Sequence, residues 1–580
     1  MADLNKAGPS GVKRRKTVKV RNEKNLSVEE LMQFLYNSDS DEDYEDSDVD
    51  NFEIENVSED SSGSDTEDDV LQNELNNTVA DNPDVQITDN EWTETTSGMK
   101  QIPFTKRSGL LVDSPGDSAY DWFRLLFEDE LLNIIVLQTN SYAVEVLSTS
   151  KGCDRSRISL WKELTISELL IFIGLTFHTG TIQLPSIQDY WKKNRLFSTC
   201  FSSYMSRDRY LLIMRCLHFA ENVKENEPVP VDRLYKVRPL LDHFNNKMKT
   251  VYYPGKYLSL DESMILWKGK LVFKQYLPKK RHKYGVKLYM LTEADSTILD
   301  IHIYAGAGDA TAGKSHTERV VLHLMRNFFD HGHSLHMDNY YNSYNLAKLL
   351  LDKNSFCTGT LRKDRKDCPK NVVDAKLKKG QTKSMYLNNV MVGKWRDKRD
   401  IIYISTEYKN EMVTVRNRRG DEKIKPLPII QYNKYMGGVD LQDQMSSYYP
   451  PTRKTLRWYK KIGIHLFQLY LQNAHRLYNK YHGNNKMSYY KFRLSILEKL
   501  LPEKCQGTAV VTAEVAVTSG VNHTPSKIEL HNERGKTLRK NCQTCNNNKI
   551  HKDTIYHCQE CPDKPGLCLG KCFREYHVSI

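Results

Sequence analysis

Three segments of this chain each set an aspartate in a strand-to-loop or glycine-rich context. They are Ser259-Leu260-Asp261-Glu262, His336-Met337-Asp338-Asn339-Tyr340-Tyr341-Asn342 and Gly437-Gly438-Val439-Asp440-Leu441-Gln442-Asp443. A hydrophobic strand that leads into a carboxylate and then a helix is the repeating unit of an α/β sheet, in which ligands gather at the carboxyl ends of strands. Taken singly, such an aspartate is a turn or cap residue. Taken together, three that meet at one sheet edge supply the hard oxygen donors that Mg²⁺ requires. Two such ions clamp the attacking and leaving oxygens of a phosphodiester displacement.

At 580 residues the chain exceeds a single hydrophobic core, so several domains are expected. Charge is distributed unevenly. The net charge is +11, yet residues 39–69 hold 16 Asp or Glu and no Lys or Arg, so the rest of the chain carries +27 once those 16 are set aside. A basic body of this kind concentrates polyanions such as DNA. The acidic stretch cannot bury enough apolar surface to fold, and residues 1–114 are expected to be a disordered N-terminal region. Within it, Lys13-Arg14-Arg15-Lys16 reads as a nuclear import signal, which predicts the nucleus as the location. The longest apolar run, around Leu169–Phe177, is about half of the ~20 residues a bilayer span needs, so no membrane partner is expected.

Periodicity divides the remainder. Apolar positions spaced for helices recur over 118–140, 207–219 and 237–251, and Thr165 with Glu168 has capping-box spacing ahead of an apolar helix at 169–177. Residues 115–255 therefore read as a mainly helical domain. From 256 to 364 the texture is strand, aspartate, helix, with a first strand that ends at Asp261. Residues 365–430 read as a basic, strand-rich insertion, and 431–449 return to the core on a helix where Asp440 and Asp443 share a face. Residues 450–501 are again helical, with a long basic and aromatic helix from 454 to 481, followed by a linker at 502–530 and a cysteine-rich segment at 531–580.

That last segment contains Cys542-x2-Cys545, Cys558-x2-Cys561, Cys568-x3-Cys572 and His577. Paired CxxC motifs a dozen residues apart are a zinc signature, and with the other thiols dispersed these ligands point to structural metal rather than disulfides. Seven ligands exceed one tetrahedron, so two Zn²⁺ ions are predicted. One arrangement gives Cys542, Cys545, Cys568 and Cys572 to the first, and Cys558, Cys561 and His577 to the second. The eighth ligand is open among His531, His551 and His557.

The chain resembles the piggyBac transposases and their domesticated relatives from about residue 116 to the C-terminus. The resemblance is carried by Asp232-Arg233-Leu234-Tyr235-Lys236-Val237-Arg238-Pro239-Leu240, Ser259–Met264, Lys274-Gln275-Tyr276-Leu277-Pro278-Lys279-Lys280, Met337–Ser343, Cys357–Arg362, and Tyr432-Asn433-Lys434 with Gly437–Asp440. It implies a multidomain α/β protein: an RNase H-like (DDD) catalytic core with a β-rich insertion, a helical dimerisation and DNA-binding domain, and a cross-brace, RING- or PHD-like zinc domain. It further implies that Asp261, Asp338 and Asp440 hold two Mg²⁺, with Asp443 as a further acidic position. Water would nick each transposon end, the freed 3′-hydroxyl would form a hairpin, and the ends would join to TTAA targets. By the same likeness Trp458 stands near the hairpin, and the basic residues Arg453, Lys454, Arg457, Lys460 and Lys461 beside it read as phosphate contacts. From the residues alone, Trp458 reads equally well as the core anchor of its helix. Partners implied are double-stranded DNA, at terminal inverted repeats and target sites, and a second copy of the chain. The alternative reading is a domesticated nuclear protein that binds DNA without cutting it.

Overall fold

The computed structural model describes residues 91–578 except for 97, 150–156, 224–226, 229, 279, 281, 417–421, 484, 504–524, 529–537 and 570. The basic cluster at 13–16, the acidic run and His531 lie outside the described residues. Helices α1 (Ala119–Leu126), α2 (Asp129–Thr149), α3 (Ile166–Thr181), α4 (Arg207–Cys216) and α5 (Arg238–Val251) come first. Local chemistry starts them: Ser118 and Asp121 form a reciprocal capping box, the Thr165 and Ser206 hydroxyls cap α3 and α4, and Pro239 sits in the first turn of α5. The expected helix over 118–140 is two helices, broken at Phe127-Glu128, where Phe127 leaves the helical conformation (φ −105°, ψ 67°) and its ring stacks on Phe123 at 5.1 Å.

A nine-stranded mixed sheet follows. Its strands are β1 (Tyr257–Leu266), β2 (Gln275–Tyr276), β3 (Tyr284–Glu293), β4 (Ile298–Ile303), β5 (Ser334–Met337), β6 (Phe356–Thr360), β7 (Thr382–Leu387), β8 (Val390–Arg396) and β9 (Asp400–Ser405). The order is β2-β3-β1-β5-β6-β9-β8-β7, with β4 also pairing β3. Only β1–β5 and β5–β6 are parallel. Helix α6 (His316–Met325) precedes β5, and α7 (Tyr344–Asp352) connects β5 to β6. Three strands of the segment read as an insertion, β7 to β9, thus extend the main sheet, because β9 pairs antiparallel with β6. The other two, β10 (Met412–Arg416) and β11 (Glu422–Pro426), form a separate ribbon.

Helices α8 (Leu427–Tyr435), α9 (Gly438–Tyr448), α10 (Trp458–Tyr481) and α11 (Tyr489–Leu500) complete the body. Helix α10 is buried along most of its length and ties the helices to the sheet. Phe127 packs edge-on against Phe467, and Phe244 against Tyr470. Edge strand β4 would leave backbone groups unpaired. Asn473 of α10 bonds both the N–H and the carbonyl of Ile298, at 3.0 and 2.8 Å, and Asn245 of α5 does the same for Ile301 at 2.9 Å.

Order begins earlier than the expected boundary at 115. Residues 91–106 form a strap across the sheet: Thr93 bridges Tyr386 of β7, Trp92 packs edge-on to Tyr344, and Met99 joins Trp395, Tyr403 and Ile429 in a small core. No described helix is long and apolar enough to cross a membrane.

Candidate active site and zinc module

Strand β1 does not end at Asp261, as the sequence suggested, but continues to Leu266 because β3 pairs with it along its whole length. Its parallel partner is shorter. The β1–β5 ladder stops at Leu260 opposite Met337, so Asp261 and Asp338 emerge side by side where the sheet opens. Asp338 begins a tight loop: the Tyr340 N–H donates to its Oδ1 at 2.9 Å, and the Asn342 amide donates to the carbonyls of Met337, Asp338 and Thr360. Gly359 of β6 makes that clamp possible, since a Cβ there would lie 1.8 Å from the Met337 carbonyl.

The third segment arrives on α9. Gly438 packs so closely that a Cβ would meet the Glu293 carbonyl and Thr292 Oγ1 at 2.3 Å and Ser259 Oγ at 2.8 Å. On β1, Ser259, Asp261 and Ser263 share the face toward α9, and Ser263 donates to Asp443 Oδ1 at 2.5 Å. Asp440 is the exposed member. Lys280 reaches into the same space: its ammonium donates to the Glu262 carbonyl at 2.8 Å, and its pKa is raised against burial by Asp261, Glu262, Asp440 and Asp443.

Electrostatics reports crowding. Burial pushes Asp261 up to about 8, with Glu262 and Asp338 adding to the effect and Lys280 opposing it. Burial and then Glu262 raise Asp338 to about 6, and burial raises Asp443 to about 6 against the Ser263 hydrogen bond and Lys280. Tyr432 of α8, pushed up to about 12 chiefly by burial, faces Asp338, Asp261 and Asp440. Among the described residues no three of these carboxylates bring ligand oxygens within 4.8 Å of one another. Mg²⁺ suits such a spacing because it keeps several waters and takes few protein ligands. Oxygen donors that burial drives toward protonation are a set that a hard divalent cation relieves.

The basic residues expected to touch DNA divide. Arg453 donates to the carbonyls of Leu184 and Thr179, and Lys460, 4 % exposed, donates to the Arg215 carbonyl. Both cations therefore bond backbone carbonyls of this fold, those of Thr179 and Arg215 in the last turns of α3 and α4, where a cation is favoured. Lys454 is exposed, and Arg457 and Lys461 are half-buried. Trp458 is buried edge-on against Phe273 at 5.3 Å, which is the core-anchor position. Sequence reasoning passed over Lys280, Lys287, Ser263 and Tyr432. The available signals were the motifs that hold Lys280, Ser263 and Tyr432, and, for Lys287, a lysine inside a largely apolar strand.

At the C-terminus the structure gathers Cys542, Cys545, Cys568 and Cys572 in one group and Cys558, Cys561 and His577 in another, each with ligand atoms within 4.8 Å. Soft thiolates at this spacing fit Zn²⁺. His577 Nδ1 donates to the Phe573 carbonyl at 2.7 Å, leaving Nε2, 3.4 Å from Cys561 Sγ, to bind metal. Backbone N–H groups of Cys545 and Cys568 outweigh burial and bring the Cys542 thiol down to about 7. Neither His551 nor His557 joins the second group. The module starts before 531: Pro525–Lys527 pairs antiparallel with Tyr556–Cys558.

The family model described as Transposase IS4 matches residues 118–475, and one described as a DDE_Tnp_1-like zinc finger matches 523–578. The human PiggyBac transposable element-derived protein 3 is 27% identical over 479 residues, spanning 78% of this chain and 75% of that protein. The human PiggyBac transposable element-derived protein 2 is 25% identical over 484 residues, spanning 79% and 76%. Among solved structures, a piggyBac transposase synaptic complex with hairpin DNA superposes with a TM-score of 0.60 at 23% identity, covering 68% of this chain and 82% of that one. The chain belongs to the piggyBac-like transposases of the IS4 family.

Proposed function

We propose that this protein is a cut-and-paste DNA transposase that works as a dimer in the nucleus, with Asp261, Asp338 and Asp440 holding two Mg²⁺ and Asp443 supporting them. The observation that carries the reading is the meeting of three distant acidic segments, with Lys280, at the point where the β1–β5 ladder ends. The run β4-β3-β1-β5-β6, three antiparallel strands followed by two parallel ones, supports an RNase H-like core. When bound, the two ions would supply charge neutralisation for the in-line displacement of a phosphodiester.

The protein's own groups do the rest. Asp261 and Asp338 supply donors from a strand and a clamped loop that the sheet holds rigidly. Asp440 closes the site from α9, whose approach Gly438 permits. Lys280 partly neutralises the acids and lies where a phosphate would enter. Exposed Lys454 and half-buried Arg457 and Lys461 offer the backbone contacts, and the zinc module recognises the transposon end. Successive nicking, hairpin formation and joining to TTAA reuse the same carboxylates. The test is excision of a donor element, flanked by the terminal repeats that border this coding sequence, from a plasmid in cells. Wild-type protein excises it and Asp338→Ala does not. Specific end binding with no excision by the wild type would instead establish a domesticated DNA-binding protein, the reading that the names of the human relatives favour.

A further inference from the structure

Behind the acidic cluster, on the opposite face of β1, buried Lys287 pairs with half-buried Glu262 in an aromatic cage. Alternation along β1 turns Glu262 away from Asp261 and Ser263, and the β1–β3 register places Tyr289 opposite Glu262 and Lys287 opposite Met264. The Lys287 ammonium is 3.9 Å from Glu262 Oε2 and lies over the rings of Tyr289 and Tyr340, 4.5 and 4.6 Å from their centroids. Lys287 is 4 % exposed. Tyr341 donates to Glu262 Oε2 at 2.9 Å, and Tyr289 donates to His316 Nε2 at 2.7 Å while His316 Nδ1 donates to the Thr311 carbonyl at 2.8 Å.

Two of these partners belong to the loop of Asp338 and one to the strand of Asp261. The parallel ladder that joins these elements ends at Leu260 and Met337, one residue before each aspartate. Past that point the side-chain ties across the gap run through this cage: Tyr341 to Glu262, and the Tyr340 ring to Lys287. An ammonium held over two ring faces is attracted by both ring quadrupoles, and the Glu262 carboxylate lies beside it. Removing the ammonium takes one cationic neighbour from the half-buried Glu262 carboxylate, leaving the Tyr341 hydroxyl and the more distant Lys280, and frees the Tyr340 ring.

We propose that Lys287 is a positioning residue: with Glu262, Tyr340 and Tyr341 it fixes the separation of Asp261 and Asp338, and so sets the affinity of the site for divalent cation. This rests on reading those two aspartates as metal ligands. Outer-layer partners of metal ligands typically contribute 10–100-fold to metal affinity.

The test uses the full chain and Mn²⁺ as the probe, with binding followed by electron paramagnetic resonance and Asp261→Asn as the blank. Lys287→Met keeps the stem and removes the charge. The double variant Glu262→Gln/Lys287→Met removes both charges, which guards against unfolding from an unpaired half-buried carboxylate. Expected results are a dissociation constant for Mn²⁺ raised about 10-fold or more in either variant, a smaller rise in Tyr341→Phe, and partial recovery in Lys287→Arg. Affinity for end DNA measured without metal should be unchanged. Folded variants that bind Mn²⁺ as the wild type does would overturn the inference. Wild-type protein that binds no more Mn²⁺ than Asp261→Asn would instead overturn the two-metal reading on which it rests.

Discussion

The two glycines that precede Asp440 look alike in the sequence and differ sharply in the fold. At Gly438 an added Cβ would sit 2.3 Å from the Glu293 carbonyl and from Thr292 Oγ1, both on β3, and 2.8 Å from Ser259 Oγ on β1. At Gly437 it would meet nothing within 4 Å, and the backbone there has φ −76°, which alanine adopts freely. The Glu293 carbonyl is backbone within a paired strand and cannot swing aside, so Gly438→Ala forces the start of α9 away from the sheet by about 1 Å. Overpacking of this kind costs about 1–3 kcal/mol, which a protein this size tolerates. The functional cost is larger. Asp440 lies two residues along the displaced turn, and a misplacement of about 1 Å at a reacting centre costs on the order of 10²-fold in rate. The assay is single-turnover nicking of end DNA in Mg²⁺, with urea unfolding and DNA binding as controls. Gly438→Ala should unfold at lower urea, bind DNA normally and nick about 100-fold more slowly, while Gly437→Ala stays within about 3-fold of wild type. Equal rates for the two variants, or near-normal nicking by Gly438→Ala, would refute the placement of α9 as the third side of the site.

Three further outcomes follow from the structure. Asn473→Leu strips the Ile298 N–H and carbonyl of their partners in a buried setting, so chemical denaturation should show a loss of about 2–4 kcal/mol. His336 is buried with its pKa lowered to about 4, burial outweighing the hydrogen bond to the Leu258 carbonyl. Because the folded value lies below the unfolded one near 6.5, the unfolded chain takes up the proton first. Its contribution, up to about 3 kcal/mol, is complete above pH 6.5 and is lost as pH falls from 6.5 through 4. Between pH 6.5 and 4.5 the wild type should therefore lose more melting temperature than His336→Gln does, and equal losses would contradict the assignment. Chelation of zinc should unfold the C-terminal module while the core stays intact, because the thiolate groups replace a hydrophobic core there; limited proteolysis should then cut after 525 and spare residues 119–500, and resistance of the module to protease after chelation would contradict this.

The sequence revealed those parts of the fold whose causes are local. Helix starts at Thr165, Ser206 and Pro239 follow from hydroxyl caps and a fixed proline φ. The grouping of the zinc-module cysteines follows from CxxC spacing. The approach of the aspartate segments was expected from the family resemblance that their motifs carry, not from their spacing along the chain. What stayed hidden depends on partners distant in sequence. Asp261 lies within a strand rather than at its end because β3 is long and β5 is short, a relation between pairing partners that no single segment carries. Arg453 and Lys460 look like surface cations until the carbonyls of Thr179, Leu184 and Arg215 are brought to them. The strap at 91–106 is polar and short of periodicity, and is ordered only because Met99 and Trp92 find pockets on the sheet and α7. Lys287, a charge in a largely apolar strand, was passed over, because Glu262 and the tyrosine ring of Tyr340 that accommodate it come from other elements.

Cleavage of end DNA by the purified protein tests the central claim most directly. Wild type should nick one strand in Mg²⁺ and remain inactive in chelator. Asp261→Asn, Asp338→Asn and Asp440→Asn should each bind the same DNA with unchanged affinity and lose cleavage by at least about 10³-fold. Cleavage that survives in any of the three, or a wild type that binds its ends and leaves them intact in Mg²⁺, would contradict the account.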